Sequence, residues 1–321
     1  MSEISREPKH VRRLYIGIVL SVWLLALTAP TSAQSMVLAD KVTLGDTSIA
    51  APALSYMHGI CYIAWTGTDG GKHLNVMSSE NGKDFTGKTT LGDTSIAGPA
   101  LAVFNDKLYI AWTGTDSERH LNVMSSSDGV HFSGKVTLGD TSIAAPALTV
   151  FNDKLYIAWT GTDSGRHLNV ISSSDGTNFG DKVTLGDTSI AAPALVEFKN
   201  KLYIAWTGTD SANRLNVMSS GDGRNFGGKV TLGDTSFTGP SLEARSKLWL
   251  SWAGSGNRML NIMSSDDGTH FGGKTVFSGD TSIGTPMIAG SIGAGRLNVA
   301  WTGTDSGKHL NVARVVGDVF S

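Results

Sequence analysis

The sequence predicts an all-β chain folded as a six-bladed β-propeller of four-stranded blades, closed by the N-terminal strand completing the last blade. Three observations carry this reading. One unit of 47 residues recurs in six near-copies, each copy holds four short strand candidates, and the chain begins on the fourth strand type and stops just after the third.

The repeat is marked by its tryptophans. Trp65, Trp112, Trp159 and Trp206 are each 47 residues apart, and Trp252 and Trp301 follow at 46 and 49. Copies begin near Lys41, Lys88, Lys135, Lys182, Lys229 and Lys274, and together they fill almost all of 41–321. No room is left for a second domain.

In the third copy the strand candidates A to D are 146–151, 155–160, 168–172 and 182–185, separated by turn residues. Strand B alternates Leu155, Ile157 and Trp159 with Tyr156, Ala158 and Thr160, so both its faces should be covered. Asn169 and Ser173 make strand C more polar, and strand D carries Lys182 and Thr184 on one face. Burial is therefore expected to fall from A and B to C and D, as inner strands wedge between blades and outer ones meet solvent. A first D strand near 41–44 completes the last blade and removes the open edges of a linear array.

Composition agrees with a globular exported domain. Hydrophobic residues make up 40% of the chain, enough to bury a core. Within 1–33, basic Lys9, Arg12 and Arg13 precede an apolar run at 14–27, followed by Thr31, Ser32 and Ala33. That order predicts a signal peptide cleaved after Ala33, so the protein is read as secreted or extracytoplasmic. An uncleaved membrane anchor is the alternative, for which the apolar run is somewhat short. The remaining 34–321 holds 22 basic and 26 acidic groups, no electrostatic footprint for nucleic acid. Cys61 is the single cysteine, so no intramolecular disulfide is available. The B–C loop histidines His73, His120, His167 and His309 sit in separate blades, the wrong geometry for one tetrahedral metal site, and no cofactor motif is present.

Between strands C and D recur SSSDGVHF at 125–132, SSSDGTNF at 172–179 and SSDDGTHF at 264–271. Here the chain resembles the Asp-box, or bacterial neuraminidase repeat, of sialidase-like propellers. The resemblance recurs in five of the six units, with Asp and Gly one residue closer than in the usual box; the sixth has 316–320 instead. It implies that Asp128, Asp175, Asp222 and Asp267 cap their own turns and that the aromatic plugs the blade. It also implies an active face on the opposite side, where the D–A and B–C connections emerge.

Two repeated polar segments lie on that face. The D–A segment holds Asp46, Asp93, Asp140, Asp187, Asp234 and Asp280, expected as turn caps. The B–C loop holds Asp69, Asp116, Asp163, Asp210 and Asp305, followed by His73, His120, His167, Arg214 and His309. These five acid–base sets are the candidate ligand-binding residues, with Trp65, Trp112, Trp159, Trp206 and Trp301 nearby. The tryptophans either pack against the next blade or stack on a ligand at the rim of an interblade groove. The fifth unit departs most, with Ala253, Gly254 and Ser255 in place of Thr-Gly-Thr-Asp.

Sialidase-like enzymes converge an arginine triad, a Tyr–Glu nucleophile pair and an Asp acid/base from different blades. That set is missing here: the tyrosines Tyr56, Tyr62, Tyr109, Tyr156 and Tyr203 lie in or beside repeated strands, and Glu80, Glu118, Glu197 and Glu243 have no evident partner. No catalytic residue is assigned. The expected function is an exported, monomeric, multivalent binding protein, lectin-like, with a glycan as partner. The alternatives are a sialidase-like glycoside hydrolase and a protein-binding scaffold.

Overall fold

A computed structural model describes Met1, residues 36–291 and residues 296–317. The chain divides into two compact units, Met1–Ala33 and Gln34–Ser321. Apart from Met1, the leader read at 1–33 lies outside the described residues. The described residues form 24 strands and include no helix long and apolar enough to cross a membrane.

The strands make six separate four-stranded antiparallel sheets, and five of them are built from consecutive strands. Blade 3 is Ala147–Phe151, Lys154–Thr160, His167–Ser173 and Gly180–Thr188. Blade 6 takes Met287–Ser291, Arg296–Thr302 and His309–Val316 from the end of the chain, and Val37–Thr47 from its start. That closing ladder pairs Val37 with Val316, Val42 with Val312 and Thr47 with His309. The inner strands touch in ring order, and Met287–Ser291 of blade 6 meets Ala53–Met57 of blade 1. The six-bladed, N-terminally closed propeller expected from the repeat is the observed fold.

Strand B is buried on both faces, from Leu155 to Thr160 in blade 3. Strand C is buried to the same degree, against the expectation that its polar residues meet solvent. Asn169 is 4% exposed because its amide is satisfied inside: Nδ2 donates to the His167 carbonyl at 2.9 Å, and Oδ1 accepts from Thr184 Oγ1 at 2.7 Å. A buried amide with both ends bonded costs little to desolvate. Strand D alone shows the outer-strand pattern, and it runs further than 182–185. Irregular register between His167 and Asn169 absorbs two extra residues, and pairing resumes at His167 with Thr188. The Gly-Asp-Thr segment is therefore the end of strand D rather than a loop.

That extension changes the role of its aspartates. Asp140 accepts from Lys182 Nζ of blade 3 at 2.5 Å, and the same lysine sits 5.4 Å from the ring centre of Trp159. Lys88–Asp46, Lys135–Asp93, Lys229–Asp187, Lys274–Asp234 and Lys41–Asp280 repeat the arrangement around the ring. Each lysine bridges to the preceding blade over its own tryptophan. The expected capping falls to the neighbouring serine instead: Ser142 Oγ accepts from the Ala144 amide at 3.2 Å and donates to the Thr160 carbonyl at 3.1 Å. The lysines remain 42–46% exposed. Each ion pair therefore contributes at most about 1 kcal/mol, and apolar packing beneath it dominates. Trp159 is 1% exposed, in one core cluster with Tyr109, Ala111, Leu121 and Val123 of blade 2.

On the opposite face the C–D turns hold themselves. Asp175 Oδ1 accepts from the Thr177 and Asn178 amides at 2.8 and 2.7 Å and from Ser173 Oγ at 2.9 Å. These bonds, that from the Asn178 amide above all, hold its carboxyl far below the usual carboxylate range. Gly176 adopts φ +77, and a Cβ there would meet Tyr109 of the preceding blade at 2.2 Å, so glycine is required twice over.

The symmetry breaks at the inner strands of blades 5, 6 and 1. Glu243 Oε1 accepts from the Gly290 amide at 3.0 Å and lies 4.0 Å from Arg245 Nε. Asn298 stands where blades 1 to 4 have tyrosine, and its Nδ2 donates to Tyr56 Oη at 2.9 Å.

Three outcomes follow for stability. Deleting residues 36–45 leaves blade 6 with three strands and exposes an edge, so the truncated chain should unfold or self-associate; melting like the full chain would contradict the closure. Trp159→Ala should lower urea-unfolding stability by about 3–5 kcal/mol, because the indole fills an interblade core. Burial pushes the Glu243 carboxyl up to about 7, above the 4.5 of an unperturbed glutamate. The stability contributed by the neutral acid is then complete below about 4.5 and lost as pH rises through about 7. Glu243→Gln should therefore stabilise the protein more at pH 8 than at pH 4. Urea melts at both pH values decide this, and equal differences would refute it.

Candidate functional site

The B–C loops are built from their aspartates outward. In blade 1, Asp69 accepts from the Gly71 amide at 3.0 Å, the His73 amide at 3.2 Å and His73 Nδ1 at 2.6 Å. Asp116, Asp163 and Asp305 hold their loops the same way, with His120, His167 and His309 Nδ1 at 2.7, 2.6 and 2.6 Å. In blade 4 the partner is Arg214, whose Nε donates to Asp210 at 3.3 Å. The imidazole hydrogen bond is the chief cause holding the Asp69 and Asp305 carboxyls below their ordinary range. The acid–base sets expected from the sequence are thus brought together within each of the five blades that carry them.

A carboxylate only accepts, so the imidazole Nδ1 must carry the proton of that bond. Neutral His73, His167 and His309 then present Nε2 as an acceptor, and no described residue bonds it. His120 differs, with Glu118 Oε2 at 3.2 Å from its Nε2. The Asp and His side chains are 29–44% exposed in these four blades. The basic residue before each histidine plays no part in the pair. Lys72, Arg119, Arg166 and Lys308 adopt φ of +57, +63, +56 and +56 and are exposed. Their carbonyls accept from the D–A serine amides, as Arg119 O does from the Ser142 amide at 3.1 Å. The left-handed turn aims that carbonyl and leaves the cationic side chain outside.

The tryptophans do not join this constellation. Trp65, Trp112, Trp159, Trp206 and Trp301 are each 1% exposed, packed among apolar side chains and covered by a lysine ammonium. Stacking on a ligand is thereby corrected to interblade packing, against the preceding rather than the following blade. Inner-strand geometry directs the indole between sheets, where its large apolar area is worth most. Blade 5 lacks the set: Asn257 Oδ1 takes the cap, accepting from the Met259 amide at 3.1 Å, and Arg258 lies 5.1 Å from the Phe237 ring.

A second concave feature escaped the sequence reading. A cavity of about 420 Å³ lies on the ring axis, lined by all six inner strands. Its wall is mostly Ala, Pro, Leu and Val, and the charged side chains in it are Glu197 and Glu243. In the sequence, each glutamate is marked only by interrupting an otherwise apolar repeated strand. Among the described residues, no group of three or more His, Cys, Asp or Glu is placed to hold a metal.

No protein-family model matches the chain, and no curated protein matches it in sequence. Solved structures do match. A protein of unknown function from Dyadobacter fermentans superposes with TM-score 0.70 at 14% identity, covering 88% of this chain and 99% of its own. An alpha-L-arabinanase of Penicillium chrysogenum, complexed with arabinobiose, gives 0.65 at 13% identity, covering 88% and 97%. A mutant Trypanosoma rangeli sialidase displaying trans-sialidase activity gives 0.61 at 14% identity, with 88% of this chain matched to 60% of that one. At such identities the likeness is one of fold, and the chain shares its propeller fold with an arabinanase and a sialidase.

Proposed function

We propose that this is an exported, multivalent glycan-binding protein with one shallow site on each of five blades. The observation that supports the reading most is the repetition of one prebuilt polar set. Asp and His, or Asp and Arg, are locked together at matching positions on one face, with exposed donors and acceptors left over. Sugar hydroxyls both donate and accept, so an imidazole Nε2, a carboxylate oxygen and a neighbouring lysine or arginine suit them. Each site is small and needs no nucleophile. Several on one rigid disc would raise avidity by about 10²–10⁴ on a dense glycan surface. Export rests on the basic and apolar order of residues 1–33. The fold likeness to carbohydrate-active propellers is consistent with a glycan ligand.

The test changes Asp69, Asp116, Asp163, Asp210 and Asp305 together to Asn. Asparagine keeps a carbonyl acceptor, and Asn257 already caps the loop of blade 5, so folding should survive. A glycan array identifies the parent ligand, and melting is followed beside binding. Binding lost with melting unchanged is the expected result. A parent protein that binds no glycan, or a variant that binds as well as the parent, would leave a protein-binding scaffold as the better account. Turnover of a fluorogenic sialoside by the parent would favour a hydrolase.

A further inference from the structure

The blades are near-copies where they pack against one another and individual where they line the axis. Strand B reads Lys-Leu-Tyr-Ile-Ala-Trp-Thr without change at 107–113, 154–160 and 201–207. Along the inner strands the corresponding pairs are Ser55-Tyr56, Ala102-Val103, Thr149-Val150, Val196-Glu197, Glu243-Ala244 and Ala289-Gly290. No two blades carry the same pair. Six equal blades can make six equal loop sites, but an asymmetric lining makes one site per molecule.

We infer that the axial cavity is a binding site for an organic ammonium ion with an apolar body, held through Glu197. The volume of about 420 Å³ falls in the range of small-molecule sites. Besides Tyr56, the ionisable side chains in the wall are both acids, Glu197 and Glu243. Glu243 is already engaged by the Gly290 amide and faces the Arg245 guanidinium. Glu197 is exposed in the cavity wall and has neither a hydrogen bond nor an ion pair among the described residues. Leu101, Leu148 and Leu195 with Pro146 and Pro193 supply the apolar remainder. A carboxylate in apolar surroundings favours a ligand that brings both a compensating positive charge and a hydrocarbon surface. A neutral isostere loses the charge-assisted bond, and an anion meets a carboxylate.

None of the B–C loop residues of the glycan reading lines the cavity, so the proposal stands or falls separately from that reading. The test titrates the full chain with 2-phenylethylammonium, 2-phenylethanol and 3-phenylpropanoate, followed by amide chemical shifts in NMR. The ammonium ion should bind with shifts centred on the inner strands, the alcohol about tenfold more weakly or worse, and the carboxylate not at all. Glu197→Gln should weaken the ammonium ion by about tenfold and leave the alcohol unchanged. Val103→Trp, on an inner strand that adjoins neither the strand of Glu197 nor that of Glu243, fills the cavity and should abolish binding of both. Equal binding of ammonium and alcohol, no binding of the ammonium, or an unchanged affinity in Glu197→Gln would overturn the proposal.

Discussion

The ladder between Val37–Thr47 and His309–Val316 is the one pairing that joins the two ends of the fold. Every other sheet pairs strands adjacent in sequence, each joined by a short turn. Five blades are thus local structures, and the sixth exists only when the ring has closed. A four-stranded blade cannot bury its own faces. Each depends on a neighbour at either side, and a ring is the arrangement in which none lacks one. Closure also brings Met287–Ser291 against Ala53–Met57, which completes the axial cavity wall.

The interblade seams show how a short repeat serves two environments at once. The indole lies between sheets, the lysine methylenes pass over it, and the ammonium reaches a carboxylate on the preceding blade. The apolar stem of the lysine is covered while its charge stays near water. The aspartate at the end of strand D is used by this seam, whereas that of the B–C loop is used by its own backbone and by the histidine. Two aspartates in similar Gly–Thr surroundings therefore do different things, because one lies beside another blade and the other at a loop tip.

Symmetry and its loss divide the molecule. The loops are alike in five blades. Blade 5 departs at its loop and at its inner strand, where Ser241–Ala244 introduces Glu243 and Arg245 follows. Blade 6 departs beside it, with Asn298 in place of the repeated tyrosine and Tyr56 of blade 1 supplying the hydroxyl. Polar residues thus collect in one sector of an otherwise apolar inner ring. The raised carboxyl of Glu243 is the cost of that placement.

The blade count, the four strands per blade, the closing strand and the self-capping C–D turns are all legible in the sequence. Each of these is written in local pattern: the spacing of Trp65, Trp112 and Trp159, the alternation of strand B, the Asp-Gly turn pairs, and the strand type at either end. The acid–base composition of the B–C loops was legible for the same reason, since Asp69 and His73 are four residues apart on one turn. Tertiary structure decided what depends on a second blade. Trp159 became core and not a ligand platform, because its indole faces Tyr109 and Ala111 across a seam that no single repeat contains. Asp140 became the partner of Lys182, 42 residues away, because strand D runs on to meet the next blade. Asn169 could be buried because Thr184 and the His167 carbonyl close around its amide. Glu197 and Glu243 came to line one cavity because the ring curves, and curvature is a property of how blades pack rather than of any one blade's residues.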